Sequence, residues 1–537
     1  MTVREKSGVI EFEGQKKRFE RCSHLRVLVR DGFPAELYLD SSGDELGVAS
    51  RQVSGRHLVL FWIDHEVLAI SHESIEKCLD IVSEATAKGF RTQLWKVSKY
   101  LPGWAGVVMD ATGVELISDP IGRLPVFFRS HKDFEIATDP LLLADDLPAL
   151  RWGGLNAYLL IDGLPANWCP WETIHRLEAG ARVVRTWEAE SSRTFRECWF
   201  DSEAVNSGSL IGELWRAVER RINRGVTAFS LSGGVDSSLL VLLASEMGVR
   251  VQVFSMVAPE FPEFDEQDVA FETAKLVGAT FRPFDISGPQ QWSNQAVFHP
   301  VPGWGPNLIA EAPYVVPFLG FVSKQRCDES SAIVFGLGAD QILLHTQPST
   351  SNDRRLGRVR RPRTASWIRD HPYSDLTRFD LEERYSLRPL DFRTSGSWSI
   401  VMHSLERYRR ATGMFLELPY LDPPVLAAAT TEVPREFPDP STGRVRRKAV
   451  LREALAPKLP HVAFRGKRGI FDPIVRDGLT NHIFPPLLEI VRESAVLQGI
   501  PGLNLPMLLD ELARDPLPVV GPIQRAMVLA LWGRCFN

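Results

Sequence analysis

The sequence predicts a sheet-rich α+β domain over residues 1–200, followed by an α/β domain with a doubly wound parallel sheet over residues 201–537. Three observations carry that prediction. Short β-type runs separated by turns fill the chain from about Gly8 to Val184, whereas from Leu210 onward apolar strands alternate with helical spacing. Between them a Gly-containing turn, Ser230-Leu-Ser-Gly-Gly-Val-Asp-Ser-Ser238, joins a strand to a helix. At 537 residues the chain is too long for one core, which again favours two domains.

Composition narrows the class. Hydrophobic content of 44% and charged content of 24% are those of an ordinary globular protein. With 62 Lys plus Arg against 67 acids, the net charge of -5 gives no reason to expect a nucleic-acid partner. The six cysteines (Cys22, Cys78, Cys169, Cys198, Cys327 and Cys535) form no Cys-x-x-Cys pair, so neither a zinc site nor a disulfide framework is expected. Reduced thiols in a cytoplasmic protein are the simplest expectation. Met1-Thr-Val-Arg-Glu-Lys has no apolar stretch behind it, and the run Leu58 to Ile70 is broken by Asp64, His65 and Glu66, so neither a signal peptide nor a membrane span is expected.

In the first domain, strands are expected at 25–29, 35–39, 57–61, 106–109, 114–117 and 126–128. Ile75, Cys78, Leu79, Ile81 and Val82 space as a helix over 74–88. Asp201 to Ser209 is a polar linker, and Leu210 to Ile222 reads as an amphipathic helix capped by Ser209. Val226-Thr-Ala-Phe229 is short and apolar enough for a buried parallel strand, and Leu239 to Ala244 belongs to the helix that follows. A second core strand at 249–256, a helix at 265–278 and a third strand at 280–284 complete the alternation, with ligand expected at the carboxyl ends of the strands.

The Gly turn has the makings of a phosphate site. Gly233 and Gly234 allow a tight turn and close approach of an anion, and the next helix presents its free N–H groups. Ser232, Ser237 and Ser238 can add hydroxyl donors, and Ser230 and Leu231 are expected in the same ATP and pyrophosphate site. Asp236 is out of place beside phosphate unless a cation intervenes. No Lys follows the glycines, which excludes a Walker-type loop. The Ser-Gly-Gly-x-Asp-Ser string instead resembles the pyrophosphatase loop of enzymes that split ATP between its α- and β-phosphates. That resemblance implies that Asp236 binds magnesium while the loop holds pyrophosphate.

Further strings resemble the asparagine synthetase family. Ile333-Val-Phe-Gly-Leu-Gly-Ala-Asp-Gln341 is similar to its Gly-x-Gly-x-Asp segment, which implies Gly336 at the nucleotide and Asp340 as a second magnesium carboxylate; two such acids suit a hard cation. A turn acid is the bland alternative for Asp340. On the same resemblance Ser255 and Met256 lie beside adenine, although a buried strand end fits their spacing equally. Phe464-Arg-Gly-Lys-Arg-Gly-Ile470 resembles the family's R-x-K-x-G segment, implying Lys467 as the cation that stabilises charge during amine attack and Arg465 as a pyrophosphate contact. Lys448-Ala-Val-Leu-Arg-Glu-Ala454 resembles its K-x-x-L-R-x-A segment, with Lys448 read as a helix-surface lysine.

In the first domain, Ser118-Asp-Pro-Ile-Gly-Arg-Leu-Pro-Val-Phe-Phe128, Phe134-Glu-Ile-Ala-Thr-Asp139 and Trp171 to Gly180 resemble the glutaminase domain of that family, which implies an Ntn-type sandwich. Ala179 replaces a usual proline. Position 2 is Thr where the family's nucleophile is an N-terminal Cys, and Cys22 is internal, so a relic without glutaminase activity is expected. Leu337 stands where asparagine synthetases have Glu and β-lactam synthetases Tyr. In Leu418-Pro-Tyr-Leu-Asp422 the family's signature tail is kept, but Glu417 replaces an Arg, implying a changed substrate pocket.

Together these departures are most similar in character to the macrolactam cyclases of lasso peptides. ATP and Mg2+ are then the expected cofactors, and the expected partners are a precursor peptide, a leader peptidase and a leader-binding protein. β-Lactam synthetase, an asparagine synthetase-type amidoligase and an inactive scaffold remain alternatives. Arg354, Arg355, Arg358, Arg360, Arg361 and Arg363 are either a solvated loop or a lid for an acidic ligand, and Pro300 to Pro306 is a further loop on the acceptor side.

Overall fold

The computed structural model describes residues 9–10, 18–22, 24–29, 35–40, 46–53, 55–65, 68, 70–88, 91–131, 133–143, 149–152, 155, 158–159, 168–188, 192–196, 208–288, 312–328, 330–344, 396–432, 437–438, 445–446, 448–465, 472–478, 484–514 and 522–536. Thr2, the 300–306 loop, the arginine run 354–363 and Lys467 lie outside them.

The first 200 residues form two antiparallel sheets. The strands in order are β1 (Val9–Ile10), β2 (Arg18–Cys22), β3 (His24–Val29), β4 (Ala35–Asp40), β5 (Leu46–Val53), β6 (Arg56–Ile63), β7 (Trp104–Asp110), β8 (Gly113–Ser118), β9 (Phe127–Ser130), β10 (Phe134–Ala137), β11 (His175–Arg176), β12 (Ala181–Thr186) and β13 (Arg193–Arg196). One sheet runs β1-β4-β3-β10-β9-β11 and the other β13-β12-β8-β7-β6-β5-β2, with helix α1 (His72–Lys88) beside them. All six expected strands and the helix are present. Strands β2 and β5 were not expected, because RFERC and LGVASRQV mix charge and glycine into their apolar positions. Leu58 to Ile63 of β6 is buried at every position, so this strand is covered on both faces.

Beyond residue 208 the fold changes to parallel. Helix α2 (Leu210–Ile222) starts at Ser209, whose hydroxyl accepts from the Gly212 N–H at 3.2 Å. Then follow β14 (Ala228–Ser230), α3 (Val235–Glu246), β15 (Gln252–Val257), α4 (Gln267–Leu276), β16 (Thr280–Asp285), α5 (Ala312–Gln325), β17 (Ala332–Val334), α6 (Ala339–Leu344), α7 (Gly396–Thr412) and β18 (Phe415–Glu417). The sheet order is β16-β15-β14-β17-β18, with every neighbour parallel. The chain therefore lays strands outward from β14 in one direction, returns, and continues on the other side. The reversal falls between β14 and β17, where two strand ends open side by side and ligands of doubly wound sheets bind. Helix α8 (Pro423–Thr431) and helix α9 (Ala449–Leu455) follow.

The antiparallel and parallel parts are joined by specific contacts. Arg123, in the turn before β9, donates to the Leu416 carbonyl at 2.5 Å and lies 4.1 Å over the Phe415 ring. Trp398 Nε1 donates to the Ile121 carbonyl at 3.0 Å, and His65 Nε2 is 3.1 Å from the Gly413 carbonyl. The C-terminal helix Pro522–Gly533 brings Trp532 against Trp171, with ring centres 5.5 Å apart. Two of the N-terminal segments singled out for their resemblance, 118–128 and 171–180, also bind each other. Gly180 N donates to the Asp119 carbonyl at 2.8 Å, and Ser118 Oγ donates to the Glu178 carbonyl at 2.6 Å.

Candidate active site at the β14 and β17 strand ends

Two loops leave the adjacent strands and pack on each other. The first, 231–234, turns through Gly233 at φ +78°, a left-handed conformation that disfavours any Cβ, and starts α3 with Gly234 as cap. Ser237 folds back across it: its hydroxyl accepts from the Ser232 N–H at 3.1 Å and lies 3.1 Å from Ser232 Oγ. Leu231 N donates to the Phe254 carbonyl at 2.9 Å, which brings Ser255 and Met256 to the neighbouring strand end. Ser255 is buried and Met256 half-buried. Ser238 is fully buried in α3, so its hydroxyl faces the interior and not the loop surface.

The second loop follows β17. A Cβ on Gly336 would lie 3.1 Å from Ser237 N and 3.2 Å from Asp236 Cβ, tighter than ordinary contact, so glycine lets this turn rest on the first loop without pushing it away. Gly338, at φ +102°, begins α6, which carries Asp340. Leu337 between them is half-buried and packs on the hydrophobic core.

The two acids meet through a lysine. Lys448 Nζ lies 2.5 Å from Asp236 Oδ2 and 2.7 Å from Asp340 Oδ1. Its side chain is only 12% exposed, which corrects the expectation of a helix-surface residue. Lys448 caps α9 in a left-handed conformation (φ 60°, ψ 47°), uncommon for a residue with a Cβ, and this aims the side chain inward instead of along the helix exterior. Sequence reasoning missed it because a K-x-x-L-R-x-A string on an amphipathic helix gives no sign of the cap geometry.

Burial pushes the Asp236 carboxyl up from its ordinary value; Lys448 opposes that and Asp340 adds to it. Asp236 Oδ1 is buried without a hydrogen-bond partner among the described residues. One carboxylate oxygen on a lysine, a second without a partner and another acid alongside form a donor set that fits a hard divalent cation whose other ligands are phosphate oxygens. No cluster of three or more His, Cys, Asp or Glu that could hold a metal alone occurs among the described residues.

A third segment supports both loops. Tyr420, in the single turn Pro419–Leu421, is fully buried and donates its hydroxyl to the Asp236 carbonyl at 3.0 Å. Burial, together with Asp236 and Asp340, holds its pKa well above the usual value, so it remains a donor. A Cβ on Gly338 would meet Leu421 at 2.6 Å, so the same turn also abuts the second loop. Its ends are held by Arg221, which bonds Glu417 Oε2 at 2.9 Å and Asp422 Oδ1 at 2.6 Å; Arg224 adds a 2.6 Å bond to Glu417 Oε1. Glu417 is thus a buried partner of protein cations. Burial alone would raise the Glu417 carboxyl, but Arg221, Arg224 and Arg123 outweigh it and hold it below its usual value. Glu417 is accommodated inside the scaffold by Arg221 of α2 and by Arg224 just beyond it.

Arg465 lies along the N-terminal half of α4, where its Nη1 is 3.7 Å from Asp268 Oδ1. Gly233 abuts the same helix end, since a Cβ there would be 3.1 Å from the Glu266 carbonyl. Arg465 Nη2 is buried with no hydrogen-bond partner among the described residues. In the N-terminal sheets Cys22 is the last residue of β2, the edge strand of its sheet, and pairs with Leu46. Asp119, buried, uses its carboxylate to accept from Ile121 N at 2.9 Å and Arg123 N at 3.1 Å, which stiffens its own turn. No described helix is long and apolar enough to cross a membrane.

Residues 210–288, which hold α2 and the first loop, match the asparagine synthase family. Over 233 residues the chain is 25% identical to the glutamine-hydrolysing asparagine synthetase 1 of Bacillus subtilis (strain 168), an alignment covering 42% of this chain and 36% of that protein. Among solved structures it is similar to the glutamine phosphoribosylpyrophosphate amidotransferase of B. subtilis complexed with ADP and GMP, at 13% identity and a TM-score of 0.19, covering 49% of this chain and 60% of that one. It is also similar to an allosteric regulatory enzyme of purine biosynthesis, at 12% identity and a TM-score of 0.19, covering 48% and 58%. The chain thus spans less than two thirds of the length of each. The family match begins with the helix that leads into the first loop and includes Asp236; together with the asparagine synthetase relative it supports an asparagine synthetase-like family.

Proposed function

We propose that this protein is an ATP-dependent, AMP-forming carbon–nitrogen ligase that adenylates a side-chain carboxylate of a precursor peptide and promotes attack by the peptide's N-terminal amine, as lasso peptide cyclases do. The observation that carries the ligase reading is the juxtaposition of Asp236 and Asp340 at the β14 and β17 ends, beside a Ser-Gly-Gly loop suited to pyrophosphate. Asp236 and Asp340 would hold Mg2+, which supplies charge neutralisation for the phosphates. The main-chain N–H groups at the start of α3 would hold the leaving pyrophosphate, with Arg465 alongside. In the adenylation step a substrate carboxylate oxygen bonds the α-phosphorus as the α,β bridge breaks, and pyrophosphate leaves with the electron pair. In the second step the amine displaces AMP and loses a proton. Lys467 and Lys448 are cations suited to charge that develops on carbonyl and phosphate, where a fixed donor is most effective in a dry site.

The division into residues 1–200 and 201–537, with an Ntn-type glutaminase-like first domain that no longer hydrolyses glutamine, is part of this reading. So are a cytoplasmic location and a leader peptidase and leader-binding protein as partners. A second reading, an asparagine synthetase-type amidoligase acting on a small amino acid, is favoured by the similarity of residues 210–288; a β-lactam synthetase belongs with it.

The test is ATP turnover by the purified chain with candidate peptides and small β-amino acids, reading AMP, pyrophosphate and product mass. AMP and pyrophosphate that depend on an added peptide, lost in Asp236→Asn and Asp340→Asn, are expected. Release of ADP, or near-wild-type rates in both variants, would refute the ligase reading; turnover with a β-amino acid alone would select the second.

A further inference from the structure

The turn 417–422 touches both acid-bearing loops, and besides Arg221 and Arg224 an arginine of the N-terminal part holds the strand that leads into it. Arg123 is buried, donates to the Leu416 carbonyl at 2.5 Å and stacks 4.1 Å over Phe415, the two residues that lead into the turn. Its own backbone is fixed, because Asp119 accepts from Arg123 N and Ile121 N while Trp398 donates to the Ile121 carbonyl. From β18 the connection continues in rigid steps. Phe335 N donates to the Glu417 carbonyl at 2.9 Å, Tyr420 donates to the Asp236 carbonyl at 3.0 Å, and Leu421 abuts Gly338, two residues before Asp340.

We propose that Arg123 is a positioning residue for the acid pair: by fixing β18 and the turn behind Tyr420, it sets the separation of Asp236 and Asp340. The N-terminal sheets then serve the synthetase site as a mechanical support. Residues behind a metal's direct ligands commonly change metal affinity by about 10–100-fold when lost, because the ligands must be held in place before the ion arrives. The proposal rests on the ligase reading above, which makes the two acids magnesium ligands.

The experiment titrates Mg2+ into the full-length protein with a non-cleavable α,β-methylene ATP, read by calorimetry, beside thermal unfolding. Arg123→Met is expected to raise half-saturating Mg2+ about tenfold. Arg123→Lys keeps the charge and one donor, and recovers part of that loss. Tyr420→Phe, at the far end of the connection, removes one hydrogen bond and is expected to cost about fivefold. Trp532→Phe is the control: it loosens a different contact of the N-terminal sheets, the one between Trp171 and the C-terminal helix, so it lowers Tm and leaves half-saturating Mg2+ unchanged. Arg123→Met with a lowered Tm and unshifted Mg2+ dependence would overturn the proposal, as would an equal shift in Trp532→Phe. If Arg123→Met does not fold, Tyr420→Phe decides, and an unshifted value refutes. A wild type without Mg2+-dependent nucleotide binding sinks the ligase reading along with this proposal, whereas normal wild-type binding with unshifted variants sinks the proposal alone.

Discussion

Replacing Lys448 by methionine tests the acid pair most directly. Its Nζ bridges Asp236 and Asp340 at 2.5 and 2.7 Å, but the two acids are not equivalent: their side chains are 23% and 56% exposed. Removing one partner of a buried ion pair costs about 3–5 kcal/mol, because a charge is left uncompensated. Solvent screens the Asp340 half, so that interaction falls in the range of about 0–1 kcal/mol typical of exposed pairs. The Asp236 half is less accessible but still wet, and about 2 kcal/mol is the expected cost there. Lys448→Met is therefore expected to lose roughly 2–3 kcal/mol in metal-free buffer. In a double-mutant cycle by urea unfolding, the coupling of Lys448 with Asp236 should exceed its coupling with Asp340 by about 1 kcal/mol or more. Adding Mg2+ should shrink the cost of Lys448→Met, since the ion compensates the same carboxylates. Zero coupling to Asp236, or a larger coupling to Asp340, would refute the reasoning.

Gly336→Ala places a methyl 3.1 Å from Ser237 N and forces the two loops apart; overpacking of about 1–3 kcal/mol is expected to appear as tenfold or weaker nucleotide binding with near-native secondary structure, measured by calorimetry and circular dichroism. Unchanged affinity would show that the loops do not need this contact. Glu417 and Asp422 have carboxyls held below their ordinary values by Arg221 and its neighbours against the opposing effect of burial. Groups lowered in the folded state stabilise it above their unfolded pKa values, and that contribution is lost as pH falls through the lowered values. Wild type should thus lose stability below about pH 4, and Glu417→Gln, though less stable at pH 7, should show a shallower acid loss in urea midpoints. Parallel curves for the two proteins would count against this account.

Local chemistry determined much of this protein by sequence alone. Apolar runs and turn residues specified the change from antiparallel to parallel strands near residue 210, because strand periodicity and helix alternation are properties of short windows. The Ser209 cap, the Gly233 turn and the helix behind it followed for the same reason, and they localised a phosphate-type site. The register of β2 and β5 was not legible, since their polar and glycine residues are tolerated only once neighbouring strands supply the pairing.

Tertiary structure decided who meets whom. Asp340 reaches Asp236 because β17 returns beside β14, a matter of strand order that no window of sequence contains. Lys448, 212 residues from Asp236, changes from a surface lysine into the bridge between two acids through one left-handed cap. Glu417, conspicuous in the sequence as a departure from a family pattern, is instead satisfied by Arg221 and Arg224, 196 and 193 residues away. Burial makes such long-range pairs obligatory: a charge removed from water requires a partner, and only the folded chain brings that partner within reach.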